Sequence, residues 1–214
     1  IGFAEVRFLK DFKFTSTNSV SSEETRSTIT TNPWFGQYAS QNGAITVEHD
    51  RTWSYNYQQL LTWHHQFDQH EVDAMLGHEY YRRRYYVLYG DKTNMYTFPS
   101  NDMASAVNTG STNSYRNDYN TEGWFGRVQY NYDQKYFASM SYRRDASSRF
   151  APENRWGNFW SFGGAWLISK EKFFNVSWID ELKIKASYGE QGNDNIQDQY
   201  GFDQFLYENT FDIK

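Results

Sequence analysis

The chain has no cysteine, only three prolines, no long basic run and no apolar stretch of transmembrane-helix length. Each absence excludes something. Without cysteine there is neither a disulfide framework nor a thiolate metal site, although this leaves the compartment undecided. Without roughly 20 consecutive apolar residues no helix crosses a bilayer, whereas a spanning strand needs only about 10 alternating ones. With a formal net charge of -5 and no long basic run, nucleic acid is not an expected partner, because that binding rests on clustered cations against phosphate. Scarce proline leaves room for long strands. No nucleophile elbow, P-loop or HExxH segment is present. No catalytic residue and no cofactor is therefore expected, and the chain does not read as an enzyme.

Aromatic residues are abundant. They make up 20% of the chain, with 18 Tyr, 17 Phe and 8 Trp, yet mean hydropathy is -0.88. So much aromatic area at such low hydropathy does not suit one dry core. It suits a sheet with one apolar face and one wet face, where Tyr and Trp also anchor at a membrane interface.

Period-two alternation, the signature of a strand with two unlike faces, supports this. Trp124, Gly126, Val128, Tyr130 and Tyr132 alternate with Phe125, Arg127, Gln129 and Asn131. After Asp133-Gln134, Tyr136, Ala138, Met140 and Tyr142 alternate with Phe137, Ser139, Ser141 and Arg143, completing a hairpin. Similar runs begin at Phe12, Trp53, Val72, Trp160 and Leu182, giving about eight strands. Short links near Lys10-Asp11, 67–70 and 133–134 take turns with long polar loops expected at about 21–46, 89–118 and 146–157. The link 170–180 falls on the short side but is longer than its peers. Outer-membrane barrels alternate short periplasmic turns with long external loops in this way. Soluble sandwiches have shorter strands and no such two-class pattern.

The expected fold is thus all-β, an antiparallel transmembrane β-barrel segment of about eight strands. The opening IGFAEVRFLKDFKF reads as a strand hairpin, not an export signal, so the start is expected to be internal or processed.

Residues 121–191 carry a specific likeness. GRVQYNY, YDQKY, RRDASSRFAPENRWG, FGGAWLISKEKFF and LKIKASYGEQGN occur there in order. Together they resemble the SusC/RagA family of TonB-linked (TonB-dependent) outer-membrane transporters. Residues 1–120 match only in style, through the GFAEVRFLKDFKF hairpin and the HEVDAMLGHEY strand. Ala146 and Ala151 stand where family members often carry Gly, and Trp160 replaces a usual Pro; these are local turn and packing changes.

The resemblance implies a bacterial outer-membrane importer with a plugged barrel of about 22 strands. Its substrates would be oligosaccharides or peptides, its lid a SusD-like surface lipoprotein, and its energy would come through TonB. Residues 1–214 would all be barrel domain, open in this chain. The plug, the TonB-contacting segment and the closing C-terminal strand are expected elsewhere, since FDIK does not finish on an aromatic. Two other readings stay in play: a soluble carbohydrate-binding β-sandwich, and a passive porin without energy coupling.

Candidate contact residues follow from this frame. Trp34, Phe35, Tyr38, Tyr96 and Phe98 lie in polar loops, either to stack on sugar rings or to pack the loops together. Arg149 and Arg155, with Arg143, Arg144 and Asp145, either meet substrate or lid at the outer mouth or hold a loop through Arg–Asp pairs; pairing is the favoured role. Among Arg82, Arg83 and Arg84, alternation sends at least one outward, either to lipid phosphates or simply into solvent at a strand end. His64 and His65 are neighbours on a strand and point to opposite faces. With His70, and with no carboxylate at ligand spacing along the chain, they give no expected metal site. Asp194, Asn195, Asp198 and Asp203 lack the EF-hand order of oxygen ligands and are read as solvated loop acids.

Overall fold

A computed structural model of the chain describes residues 1–196. The eight strands are β1 (Gly2–Phe8), β2 (Phe12–Thr31), β3 (Ala44–Phe67), β4 (His70–Met95), β5 (Ala106–Tyr132), β6 (Tyr136–Ser147), β7 (Trp156–Leu167) and β8 (Lys183–Gly189). They form one sheet in strict sequence order, and the paired registers are antiparallel. The order is linear: β1 and β8 are edges, so the sheet is open. No second sheet covers it among the described residues, which overturns the soluble-sandwich reading.

Tight turns fix the register. Leu9 and Lys10 have φ of 49° and 63°, and Asp133 and Gln134 both have φ of 52°. Positive φ at both central positions is the hairpin geometry whose twist matches that of the flanking strands. The side chains cannot slip by one residue without turning every aromatic to the opposite face. Thus Tyr136 pairs with Trp166, Met140 with Phe162, and Trp166 in turn with Ile184, all of one parity.

The short link between Phe67 and His70 falls where expected, whereas the long connections differ. The links at 32–43, 96–105 and 148–155 are shorter than predicted, because β2 to β5 are 20, 24, 26 and 27 residues long. The outer part of β2, SVSSEETRSTITT, is polar on both faces. A strand with mostly polar residues on both faces keeps its backbone ladder but loses the hydropathy alternation that reveals it. Leu182, where periodicity starts the last run, immediately precedes β8 and lies outside it.

The chain divides into two compact units. One comprises Ile1–Ser19, Asn56–Tyr81 and the chain from Tyr119 onward; the other comprises Val20–Tyr55 and Arg82–Asp118. The second holds the buried apolar cluster of Ile45, Met95 and Ala106, with Val47, Phe98 and Met103 packed on it. That cluster lies where the 32–43 and 96–105 links leave the strands. In the first unit the side chains expected to face lipid stay uncovered: Trp124, Val128, Tyr130, Met140 and Ile184 are 36% to 57% exposed.

Candidate functional site

The first unit is built from two chemically unlike faces. On one, aromatic rings touch in series along the short-turn end. Phe8 contacts Phe12 (5.5 Å between centroids), Phe12 contacts Trp63 (6.3 Å), and Trp63 stacks on His65 (5.8 Å). The series continues through Phe67 and His70 to Tyr132, then Tyr136, Trp166 and Phe173. Farther along the strands, Tyr142 meets Trp160 at 4.2 Å and His78 meets Trp124 at 4.3 Å. Between Tyr132 and Trp124 on β5, between Tyr136 and Tyr142 on β6, and along all of β7, this face carries no Asp, Glu, Lys or Arg.

Most charges sit on the opposite face; Arg144, on the aromatic parity beyond Tyr142, lies over the Trp156 ring at 5.0 Å. Arg143 lies between Asp145, whose Oδ2 accepts from Nε at 2.6 Å, and Glu79, to which Nη2 donates. Its guanidinium stacks over the Phe125 ring at 5.3 Å. That ring fills the space above Gly77, where an added Cβ would overlap Phe125 Cζ. The absence of a side chain at Gly77 therefore seats Phe125. Asn131 donates to Glu71 at 2.9 Å, and Glu5 pairs with Arg7 at 2.9 Å. Glu79, Ser141, Arg143, Asp145, Tyr119 and Asp194 border a cleft of about 770 Å³, whose other walls include Phe150 and Phe159.

One carboxylate organises the far end of this cleft. Asp194 Oδ2 accepts from Tyr119 Oη at 2.6 Å and from Ser147 Oγ at 2.7 Å. Arg149, only 8% exposed, donates to the Asp194 carbonyl at 2.9 Å and lies over the Tyr119 ring at 4.3 Å. Burial acts to raise the Asp194 pKa, but the two hydroxyl donors and the Arg149 charge outweigh it and hold the pKa below the ordinary carboxylate value. Arg155 donates from Nε to the Phe150 carbonyl at 3.1 Å, bracing the same 148–155 link. The Asn195 backbone N–H donates to Asn193 Oδ1 at 2.9 Å; Asp198 and Asp203 lie outside the described residues.

In the second unit the loop aromatics divide. Trp34, Phe35 and Tyr96 are exposed and Tyr38 is half-buried. Phe98 packs into the Ile45 cluster and takes the edge of Trp34 at 5.2 Å. Arg82 and Arg84 share one parity and converge on Asp118, at 3.4 Å and 3.2 Å, where Arg116 joins them at 3.4 Å. Arg83, of the other parity, projects to the opposite face.

His64 and His65 part as their adjacency requires: His64 meets Asp73 at 2.8 Å and His65 meets Asp11 at 2.7 Å. Strand pairing brings Glu71 and Asp73 beside His64, carboxylates that spacing along the chain does not reveal. The three are exposed or half-exposed, and the contact reads as an ordinary ion pair. Three further features escaped the sequence reading. Asp118 acts across strands, so linear spacing gave no sign of it; Asp194, read from the sequence as a solvated loop acid, is instead engaged by Tyr119, Ser147 and Arg149, which only strand pairing brings to it. His78 and Glu122, 3.2 Å apart, did leave one: they are polar residues on the aromatic parity, marking where the apolar band stops.

No family model matches the chain. It is 30% identical over 200 residues to the TonB-dependent receptor SusC of Bacteroides thetaiotaomicron, covering 91% of this chain and 19% of that protein. It is 28% identical over 197 residues to TonB-dependent receptor P3 of Formosa agariphila, covering 91% of this chain and 20% of that one. Among solved structures, the RagAB peptide transporter superposes with a TM-score of 0.84 at 24% identity, covering 91% of this chain and 22% of the matched one. The chain thus spans about a fifth of the length of the relatives it matches. Sequence and fold agree on one likeness: the chain is similar to a β-barrel segment of the SusC/RagA type of TonB-dependent receptor.

Proposed function

We propose that this chain forms part of the barrel wall of an outer-membrane importer, its aromatic face against lipid and its polar face lining a water-filled conduit. The separation of charge from aromatic surface carries this reading. On β7 the aromatic face runs from Trp156 to Trp166. At about 3.3 Å per residue and a tilt near 40°, those ten steps rise roughly 25 Å, the height of the apolar band of such barrels. A lipid-facing Arg costs about 2–4 kcal/mol at midplane, whereas one facing water costs little. Arg143, Arg127 and Lys185 all take the second position.

Further elements of the reading rest on the relatives. Substrate would be an oligosaccharide or a peptide, a SusD-like lipoprotein would close the outer mouth, and TonB would drive uptake through parts of the protein beyond this segment. Exposed Trp34, Phe35 and Tyr96 are the candidates for substrate or lid contact, with Tyr38 beside them. Phe98 supports Trp34 from behind. Arg149 and Arg155, engaged by Asp194 and Phe150, act by shaping the loop that borders the mouth. The wall performs no chemistry; it sets width and polarity.

Uptake of labelled oligosaccharides and peptides by cells carrying the full-length protein tests this. Uptake should vanish when TonB is deleted. Unchanged uptake without TonB would leave a passive channel, and no uptake of either class under any condition would remove the import reading.

A further inference from the structure

On the aromatic parity, beyond the His78–Glu122 boundary on β4 and β5, a cluster of cations appears that import does not require. Arg51, Arg82, Arg84 and Arg116 border one shallow depression of about 580 Å³ together with Val20, Trp53, Tyr55 and Tyr86. In a chain of net charge -5, this concentration of arginine is a local feature.

The internal pairing is lopsided. Arg82, Arg84 and Arg116 all point at Asp118, and Arg51 pairs with Glu24 at 2.6 Å. Four guanidiniums therefore face two carboxylates, a surplus of two positive charges. Asp118 offers two oxygens to three planar forks with five N–H donors each, so most of those donors are turned to the surroundings. The four arginine side chains are 42% to 61% exposed. Ion pairing alone would need one arginine per carboxylate. The excess, held in register by strand pairing, is a preformed site for an anion with several oxygens, and arginine forks match phosphate in geometry as well as charge.

The floor of the depression says which phosphate. Trp53, Tyr55, Tyr86 and Val20 give it an apolar lining on the parity assigned to lipid, away from the polar conduit face. A free phosphate has no use for that lining; an amphiphile has. We propose that Arg51, Arg82, Arg84 and Arg116 bind the phosphate of a phosphorylated outer-leaflet glycolipid of the lipid A class, its acyl chains lying on the aromatic residues below. The inference rests on the outer-membrane reading above and adds a specific lipid site to it.

The test uses the full-length protein in nanodiscs, with diphosphoryl lipid A, dephosphorylated lipid A and inorganic phosphate as separate probes. The R82Q/R84Q/R116Q variant should bind diphosphoryl lipid A about a hundredfold more weakly, roughly 1 kcal/mol for each arginine. A polar-face control, K183Q/K185Q, should bind like the parent. Equal binding of diphosphoryl and dephosphorylated lipid A would overturn the site. So would unchanged binding by the triple variant, or inorganic phosphate binding as tightly as the lipid. Should the triple variant misfold, R116Q alone, altering the most exposed of the four side chains, should still lose binding severalfold, and no loss would count against the site. Membrane fractionation reads location separately: recovery in the outer membrane with unchanged lipid binding overturns this site and leaves the import reading standing.

Discussion

Tyr119 and Asp194 are joined by a 2.6 Å hydrogen bond that ties β5 to the segment following β8, 75 residues later. Ser147 shares the same carboxylate oxygen, and Arg149 packs against both partners.

Because the Asp194 pKa is depressed on folding, its contribution is complete above the ordinary carboxylate range. It falls away as pH drops through the lowered folded-state value, where the carboxylate takes up a proton. Hydrogen exchange of residues 148–155 should therefore be slow at neutral pH and accelerate only in acid below the usual carboxylate range. Asp194→Ala should cost about 2 kcal/mol of local stability, by removing hydrogen bonds to a charged acceptor. It should speed the same exchange at pH 7, whereas acceleration beginning near pH 6 would point to another group.

Sidedness makes a paired prediction on β6. Met140→Arg places a charge on the aromatic face and should destabilise the barrel in lipid vesicles by about 2–4 kcal/mol. Ser141→Arg, one residue on, joins the polar face beside Ser161, with which Ser141 now shares a 2.6 Å hydrogen bond. Its cost should stay near that lost hydrogen bond, about 1 kcal/mol. Equilibrium unfolding in urea distinguishes them, and equal costs would argue against two unlike faces.

Gly77 and Phe125 should prove coupled. Any side chain at 77 enters the volume of the Phe125 ring, which in turn supports Arg143. Gly77→Val should cost about 1–3 kcal/mol as the ring is pushed aside. In a Phe125→Ala background the same change should cost much less, leaving a coupling energy of about 1 kcal/mol or more in a double-mutant cycle. Additive costs would mean the two positions are independent.

How much of this was legible beforehand depended on whether a signal was local. From Trp124 to Tyr142 the faces differ in all but Phe125 and Phe137, so alternation gave strands, turn and sidedness together. In the outer part of β2 both faces are polar, and alternation had nothing to report; a strand of 20 residues was read as mostly loop. Partnerships depended on register. Asp118 lies 34 residues from Arg84 and Asp194 lies 45 from Arg149, and no spacing rule links such positions before the strands are paired. His78 and Glu122 were visible as polar residues out of phase with their strands, a readable mark of the band's edge.

The central claim is that one face meets acyl chains and the other meets water. This chain carries no cysteine, so single cysteines placed at 136 to 142 along β6 of the full-length protein, with any native cysteine elsewhere replaced, and each labelled with a fluorophore, make this directly measurable. A lipid-borne quencher should act on positions 136, 138, 140 and 142 and a water-soluble quencher on 137, 139 and 141. Quenching without that period of two, or with its phase reversed, would contradict the account.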